Sequence, residues 1–372
     1  MDIPLKEVIE GRTRLLVPIE GDLTKKDPVF FNPVMELNRD ISVAVASIAK
    51  PGAFCDLLAG TGARGIRVAN EVGVPVLMND INPDAVELIK KNAELNNLTV
   101  EVTCLDANRV LADRRFDFID IDPFGTPVRC MDSAVRAVDT GGILGVTATD
   151  TAALCGSSPR ACVKKYASNP LRTDYYNELG LRILIGFVAS IAVRHEKGVT
   201  PQFSHCTHHY FKTYMKTKRG PGAATETLKN VGYLQHCFSC RYRGYEKLAN
   251  LSATCVCGSK LHNSGPIWTG RFAEPDFCRK LQNEFSEGNY GMGKEALALA
   301  KTIEMEQAVS LPYYDVHKVA RSVGVQPLSM EELIGSYECM GYRAVRTHFC
   351  GTGLRIDAPL AVVSEVIASD VK

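Results

Sequence analysis

The sequence predicts an α/β protein built on a doubly wound, mainly parallel sheet. Short apolar runs alternate with helical patterns from residue 53 onward, and the runs recur about every 20–25 residues, as strands do in βαβ units. Several runs end in glycine or acidic residues. Strands rich in Val, Leu and Ile are typical of a sheet covered by helices on both faces.

The individual elements follow from these runs. The predicted strands are residues 53–58, 76–79, 99–103, 116–120 and 143–146. The helices predicted between them are residues 65–72, 83–96, 107–114 and 128–138. A long helix over 173–195 and two further strands, near 201–206 and 209–214, complete this unit.

A different pattern follows the first unit. Helical patterns over 293–309, 316–323 and 330–340 precede strand-like stretches at 342–348 and 354–357. Three helices followed by a hairpin is the order of a winged-helix module, so we expect a smaller α+β domain at the C-terminus. The predicted domains are residues 1–232, 233–265 and 266–372, the last of which is expected to contact the substrate macromolecule.

Composition excludes several protein classes. The 372 residues are 45% hydrophobic and 23% charged, which excludes a disordered or fibrous chain. The net charge of +1 means that any nucleic-acid contact comes from a local patch. The longest apolar run, residues 183–193, is shorter than the ~20 residues of a membrane span. Thirteen Cys, most of them scattered singly, without a signal-peptide core predict a reducing, cytoplasmic location.

The end of the first predicted strand carries a glycine loop. Asp56 is followed by Gly60 and Gly62, which allow a sharp turn and a close approach of backbone to a ligand. A tight turn without a ligand is the alternative for this loop. The second strand ends at Asp80, about 20 residues further on, where a carboxylate binds ribose hydroxyls or caps the next helix. Asp106 ends the third strand and suits an adenine amino group.

The fourth strand distinguishes the two cofactors, NAD and S-adenosylmethionine, that fit these residues. It ends in Asp122-Pro123-Phe124-Gly125, which resembles the acidic-Pro-aromatic motif of amino-group methyltransferases. Asp122 can accept the N–H groups of an exocyclic base amine and stabilise the charge that develops during attack. Phe124 offers a face on which a base can stack. The alternative is a β-turn with a core Phe.

Residues 194–230 form a basic stretch. They hold seven Lys or Arg against two Glu, with aromatic residues between them. Such a strand pair is suited to a phosphate backbone, whereas a solvated strand face is the alternative.

Four cysteines form two close pairs that predict a Zn²⁺ site. They are Cys237 and Cys240 in C-x-x-C spacing, then Cys255 and Cys257 in the tighter C-x-C spacing. Either His236 or His262 could replace one thiolate. A purely architectural zinc and a contact with RNA are both open.

Together these motifs resemble the tRNA (guanine-N2)-dimethyltransferase family, which acts on guanosine 26, and the compact length resembles its archaeal members. The resemblance runs nearly end to end and lies in residues 29–33, 38–40, 56–64, 122–125, 204–211, 346–349, 357–359 and the four cysteines. It implies a class I S-adenosylmethionine-dependent methyltransferase fold. It also implies tRNA as the substrate and zinc at the Cys quartet. His208 stands where many members have Asp.

The resemblance also implies residue roles. Asp122 carries catalysis, and the residues that contact the cofactor are Arg39, Arg64, Asp80, Asp106 and Ala107. From their chemistry alone, Arg39 and Arg64 can bind a methionine carboxylate bidentately or form ordinary ion pairs. Phe30 or Phe31 can form a second stacking wall opposite Phe124, or be core aromatics.

The expected reaction is two methyl transfers to the N2 of a guanine that has left its stack. Two other functions stay open at this point: methylation of another RNA base or position, and a non-catalytic zinc/RNA-binding module.

Overall fold

The computed structural model describes residues 4–19 and 29–369; the rest of the predicted N-terminal extension and the last three residues lie outside them. The chain begins with a hairpin of β1 (Leu5–Glu10) and β2 (Thr13–Pro18). Asn92 joins this hairpin to the sheet-covering helices, because its side chain accepts a hydrogen bond from Leu16 N at 2.6 Å and donates to Leu16 O at 3.0 Å.

A seven-stranded sheet forms the centre of the molecule, in the order β5-β4-β3-β6-β7-β9-β8. Its strands are β3 (Phe54–Asp56), β4 (Val76–Asn79), β5 (Glu101–Thr103), β6 (Phe116–Ile121), β7 (Val138–Ala148), β8 (Lys197–Thr207) and β9 (Tyr210–Arg219). The first five are parallel, and β9 is antiparallel to both of its neighbours. The predicted doubly wound sheet is therefore confirmed.

Helices cover both faces of the sheet. The helices of this unit are α1 (Glu36–Ala49), α2 (Ala63–Arg67, continued by a π-helical turn Val68–Val72), α3 (Pro83–Leu95), α4 (Ala107–Ala112), α5 (Val128–Ala137), α6 (Thr151–Leu154), α7 (Pro159–Tyr166), α8 (Tyr176–Arg194) and α9 (Pro221–Lys229). Contacts among α1, α2 and α3, and separately among α4, α5 and α8, define the two layers.

Helix α8 is the described helix whose length and apolar composition would suit a membrane span. Its most apolar window is 67% buried inside the protein, and it packs against β8 and a strand of the next sheet. It is therefore a core helix, as its sequence predicts.

A three-stranded antiparallel sheet follows, in the order β11-β10-β12. Its strands are β10 (Val231–His236), β11 (Arg243–Glu246) and β12 (His262–Trp268). Two helices come next, α10 (Pro275–Glu287) and α11 (Gly293–Glu306). Their buried residues, including Phe277, Leu281 and Ile303, belong to the same core as the central sheet.

The C-terminal unit has a core of its own, formed by residues between Tyr314 and Ile367. Its elements are β13 (Tyr314–Asp315), α12 (Val316–Val323), α13 (Met330–Cys339), β14 (Ala344–Arg346), β15 (Gly353–Ile356) and α14 (Leu360–Ser369). With α11 in front, the order agrees with the expected winged-helix pattern. The separate core begins near residue 314, whereas the domain boundary predicted from the sequence is residue 266.

Buried ion pairs join this unit to the central one. Arg355 contacts Glu178 of α8 and Glu306 of α11, each at 2.7 Å. Glu306 also accepts from His348 Nδ1 at 2.5 Å. His348 Nε2 in turn accepts from the backbone N–H of Cys206 in β8 at 3.2 Å. Arg182 Nε donates to Glu178 at 2.9 Å. We call Arg182, Glu178, Arg355, Glu306 and His348 the junction network.

Candidate active site

The glycine loop after β3 is held by Asp80. Gly60 and Gly62 have positive φ angles of 56° and 76°, a backbone conformation that residues with a Cβ rarely adopt. Asp80 Oδ2 accepts from the N–H of Gly60 at 2.8 Å, and Oδ1 accepts from the N–H of Asn82 at 2.9 Å. Asp80 therefore fixes both the loop and the start of α3 from the carboxyl end of β4.

Two other acidic residues lie at neighbouring strand ends. Asp56 is buried and accepts from the N–H of Gly65 at 3.0 Å. Burial raises the pKa of Asp56 to about 7, because the opposing charge of Arg64 is offset by nearby carboxylates. Asp106 is exposed and caps α4 by accepting from Asn108 N at 2.9 Å, while Ala107 beside it is buried.

Arg64 and Asp122 form an ion pair at the end of β6. The Asp122 side chain is 18% exposed and that of Arg64 is 6% exposed. Arg64 also donates to Ser42 and, at 2.9 Å, to Asn38 of α1. Arg64 thus fixes the Asp122 carboxylate, which reaches solvent at the carboxyl edge of the sheet.

A buried pair beneath Asp122 was not predicted. Lys212 Nζ donates to both oxygens of Asp120 at 2.8 and 2.9 Å, and both side chains are fully buried. Arg64 Nε lies 3.4 Å from Asp120. Asp120 and Asp122 are two residues apart, a spacing that places both side chains on one face of a strand. This spacing is the feature of the sequence that could have indicated Asp120. We call Asp56, Arg64, Asp120, Asp122 and Lys212 the site network.

Arg39 lies apart from this network. Its Nε and Nη2 donate to the two carboxylate oxygens of Glu10, at 2.7 and 2.5 Å. Its guanidinium also lies 4.8 Å from the ring centre of Phe31. The bidentate partner of Arg39 in this structure is therefore Glu10, a residue that sequence reasoning missed because nothing in its own segment marks it.

Phe30 and Phe124 are in contact at the carboxyl edge of the sheet. Their ring centres are 4.2 Å apart and the rings are nearly perpendicular, at 89°. Phe124 is 56% exposed. Phe31, in contrast, is buried in the core. Of the two predicted candidates, Phe30 is the ring that faces Phe124.

The four predicted metal ligands lie together. The Sγ atoms of Cys237, Cys240, Cys255 and Cys257 are all within 4.8 Å of one another; Cys240 and Cys255 are 3.5 Å apart, and Cys237 and Cys257 are 3.6 Å apart. Four thiolates around Zn²⁺ at about 2.3 Å would be about 3.8 Å apart, so the cluster fits such an ion. His236 instead contacts Tyr175, with its Nδ1 2.9 Å from the hydroxyl.

The basic stretch divides between the two ends of β9. Lys212 pairs with Thr147, near the carboxyl end of β7, whereas Lys216 pairs with Ile143. Because a strand rises about 3.3 Å per residue, Lys216, Lys218 and Arg219 lie about 13–23 Å from Lys212 along the strand. They are at the edge opposite Asp122, and a phosphate-binding role for them stays a prediction.

Comparison with known proteins identifies the family of this chain. The family model described as N2,N2-dimethylguanosine tRNA methyltransferase matches residues 10–368. The chain belongs to this family. Among its relatives are the tRNA (guanine(26)-N(2))-dimethyltransferases of Methanoregula boonei, 39% identical with 97% of each chain covered, and Methanobrevibacter smithii, 39% identical with 98% and 97% covered.

A solved structure of the same family has the same fold. It is the complex of Trm1 from Pyrococcus horikoshii with S-adenosyl-L-methionine, with a TM-score of 0.90 and 36% identity over 98% of this chain and 100% of that one. The chain therefore has the predicted class I methyltransferase fold. The cysteine cluster and the C-terminal unit are added to that fold.

Proposed function

We propose that this chain transfers methyl groups from S-adenosylmethionine to the N2 amine of guanosine 26 in tRNA, with Asp122 as the catalytic carboxylate. Family membership supports the reaction and the substrate. The observation that carries the role of Asp122 is its position: a fixed, partly exposed carboxylate at the end of β6, one residue from Pro123 and two from an exposed aromatic ring.

The loop and strand ends around Asp80 fit the cofactor. Asp80 accepts one N–H per oxygen, and a carboxylate has about four acceptor positions, so ribose hydroxyls can still bind there. Asp106 and Ala107 would lie at the adenine, and Asp56, Gly60 and Gly62 would shape the cradle. Arg39 and Arg64 are both engaged by carboxylates of the chain, and their predicted role at the methionine carboxylate stays a proposal.

The chemistry needs an acceptor for protons on a weakly nucleophilic amine. Bound S-adenosylmethionine supplies the methyl group. The guanine N2 forms the new N–C bond as the C–S bond breaks, and its proton passes to the Asp122 carboxylate. Asp122 can accept N1–H and N2–H together, which orients the base and stabilises the developing charge. The base reaches the site by leaving its stack and packs on Phe124, with Phe30 opposite.

The cysteine cluster is proposed to hold one Zn²⁺ that joins the turn between β10 and β11 to the segment between β11 and β12. The thiolate set and its spacing support this assignment. We further propose that the protein works in the cytoplasm and that the C-terminal unit contacts the tRNA.

Asp122→Ala tests the catalytic assignment. We expect methyl transfer to tRNA to fall by ~10²-fold or more, while cofactor affinity, measured by calorimetry, stays nearly unchanged. Asp122→Asn keeps one acceptor oxygen without the charge and should lie between Ala and wild type. Asp113→Ala, an exposed carboxylate after α4, is the matched control. Retention of more than about a tenth of the wild-type turnover by Asp122→Ala would contradict the role.

Nucleoside mapping of the product tests the substrate position. N2-methylguanosine and N2,N2-dimethylguanosine at position 26 are expected. A methyl group on another base, or on another guanosine alone, would place the chain with a different substrate despite its family.

Zinc content tests the metal assignment. We expect one zinc per chain by elemental analysis, lost in the double variant Cys237→Ser, Cys240→Ser together with local order, because structural zinc contributes folding free energy. The control is Cys104→Ser with Cys339→Ser, which alters two exposed cysteines outside the cluster. Equal zinc in the first double variant and wild type would refute the site.

A further inference from the structure

Four buried polar atoms in the described chain lack hydrogen-bond partners on or beside one face of the central sheet. They are Asn38 Nδ2, Thr147 Oγ1, His205 Nε2 and Tyr210 Oη. Their residues are at most 2% exposed. Buried polar groups nearly always have a partner, so a group of four such atoms indicates a place where a polar ligand completes the bonding.

Strand register places this group beside Asp122. Ile121 pairs with Val146, and Thr147 in turn pairs with Lys212, which pairs with His205. The next residue after β6 is Asp122, so it begins the row that continues through Thr147, Lys212 and His205.

Tyr210 belongs to the neighbouring row on the same face. It lies two residues from Lys212 in β9, and alternate residues of a strand share a face. With strands about 4.8 Å apart, Asp122 and Lys212 are separated by roughly 10 Å across the sheet. The Tyr210 side chain points from the face that also carries Asp122, so its hydroxyl and the Asp122 carboxylate lie on the same side of the sheet.

The surroundings of Tyr210 leave its hydroxyl free to donate a hydrogen bond. His205 Nδ1 is 2.8 Å from Thr207 Oγ1, and its ring meets that of Tyr210 edge to face at 5.6 Å. Thr207 lies close to the Tyr210 hydroxyl but outside hydrogen-bond geometry. Lys212, the nearest cation in the row, already donates to both oxygens of Asp120.

The protonation states agree with a neutral donor. Burial raises the pKa of Tyr210, and the negative charge of Asp122 raises it further while Arg64 lowers it, so the phenol keeps its proton. Burial, together with His348 and Lys212, lowers the pKa of His205 well below its usual value, and its imidazole is neutral.

We propose that the Tyr210 hydroxyl donates a hydrogen bond to O6 of the target guanine and thereby selects guanine, with His205 as a positioning residue for the Tyr210 ring. This inference rests on the proposed function. Guanine presents N2–H, N1–H and then O6 along one edge. A carboxylate matches the two donors, and the third position requires a donor. Adenine presents an amine at that position and would meet the wrong partner.

The first test is Tyr210→Phe, which removes only the hydroxyl. We expect kcat/KM for tRNA to fall by about 10-fold or more, the effect of one unmade hydrogen bond to a buried polar group. Cofactor affinity and Tm should stay at wild-type values, since the hydroxyl has no partner within the protein. Tyr245→Phe is the matched control, because Tyr245 also has a buried, unpartnered hydroxyl but lies in β11.

The second test pairs this variant with tRNA carrying 6-thioguanosine at position 26, which keeps N1–H and the N2 amine but replaces O6 by a weak acceptor. Wild type should lose activity on this tRNA, and Tyr210→Phe should be nearly indifferent to it, because both changes remove the same bond. Losses that multiply, or a Tyr210→Phe variant as active as wild type, would overturn the inference.

Failure of the proposed function has a different signature. In that case wild-type protein itself would form no N2-methylated guanosine at position 26. Loss of activity in His205→Ala with recovery in His205→Asn, which keeps a polar group, would support the positioning role. Equal losses in the two variants would contradict it.

Discussion

The site network and the junction network are both buried, yet their charges balance differently. The site network has three carboxylates, Asp56, Asp120 and Asp122, against the cations Arg64 and Lys212. The junction network sets Glu178 and Glu306 against Arg182 and Arg355, with His348 completing the contacts of Glu306. The site network thus has three carboxylates for two cations, whereas the junction network has two of each.

The two networks also differ in how they end. The site network reaches solvent through Asp122 and lies beside four unpartnered polar atoms. The side chains of the junction network are at most 3% exposed, and each charged group faces an opposite charge. A closed, balanced network suits a structural joint, whereas an open network with more carboxylates than cations suits a cationic cofactor and a base rich in donors.

Removal of Lys212 should have the largest effect on turnover and stability. A small effect would contradict the contrast between the two networks. Lys212→Met leaves Asp120 with Arg64 as its charged partner, so Arg64 should shift from Asp122 toward Asp120. We expect turnover to fall by at least ~10²-fold and the free energy of unfolding by about 3–5 kcal/mol. The double variant Lys212→Met, Asp120→Asn should recover most of the stability but not the turnover. Recovery of both would show that the pair is only structural.

Glu306→Gln tests the other network and should separate stability from activity. The change leaves Arg355 partly unpaired, and we expect the free energy of unfolding to fall by about 3 kcal/mol. Cofactor affinity and kcat/KM measured well below the Tm should stay near wild type. A loss of turnover comparable to that of Lys212→Met would show that the junction takes part in the reaction.

The pH dependence of stability sharpens the comparison, because each network holds a carboxyl group whose pKa is shifted in the opposite direction. Burial raises the pKa of Glu306, but His348 and Arg355 outweigh it and hold the pKa at about 2. Since the unfolded value is about 4.3, the stabilisation by Glu306 is fully present above that pH and is lost as pH falls toward 2. Asp56, with its pKa raised to about 7, acts in the opposite sense: native stability decreases as pH rises from about 4 to 7.

Urea unfolding of Asp56→Asn and Glu306→Gln without cofactor measures both slopes. The stability of Asp56→Asn relative to wild type should increase from pH 4 to 7, by at most about 1.4 kcal/mol per pH unit. The deficit of Glu306→Gln should shrink below about pH 4. Parallel curves for wild type and both variants would contradict these assignments.

The acidic residues at the strand ends were predictable because the strands that position them are visible in the local sequence. Asp56, Asp80 and Asp122 lie at the ends of buried strands and Asp106 follows a partly buried one, and the parallel sheet brings such positions to one edge. The cysteine cluster was predictable for the same reason, since each pair is local in sequence.

The partners of these residues were not predictable in the same way. Lys212 and Asp120 are 92 residues apart, and Glu10 and Arg39 are 29 apart; such pairs depend on tertiary packing. Helix α10 carries no motif that marks it. The direction of β9 also matters, because it sends Lys216 and Arg219 away from the edge that Lys212 occupies.

The contact between Phe30 and Phe124 has a consequence for binding. A base held between two rings needs about 7 Å between them, whereas these ring centres are 4.2 Å apart. Contact between the two rings therefore competes with binding of the base between them. An edge-to-face pair is worth about 0.5–1.5 kcal/mol, so closure would weaken the apparent affinity for a flipped base roughly 2- to 10-fold. A guanine that stays between the rings after its first methylation avoids that competition in the second cycle.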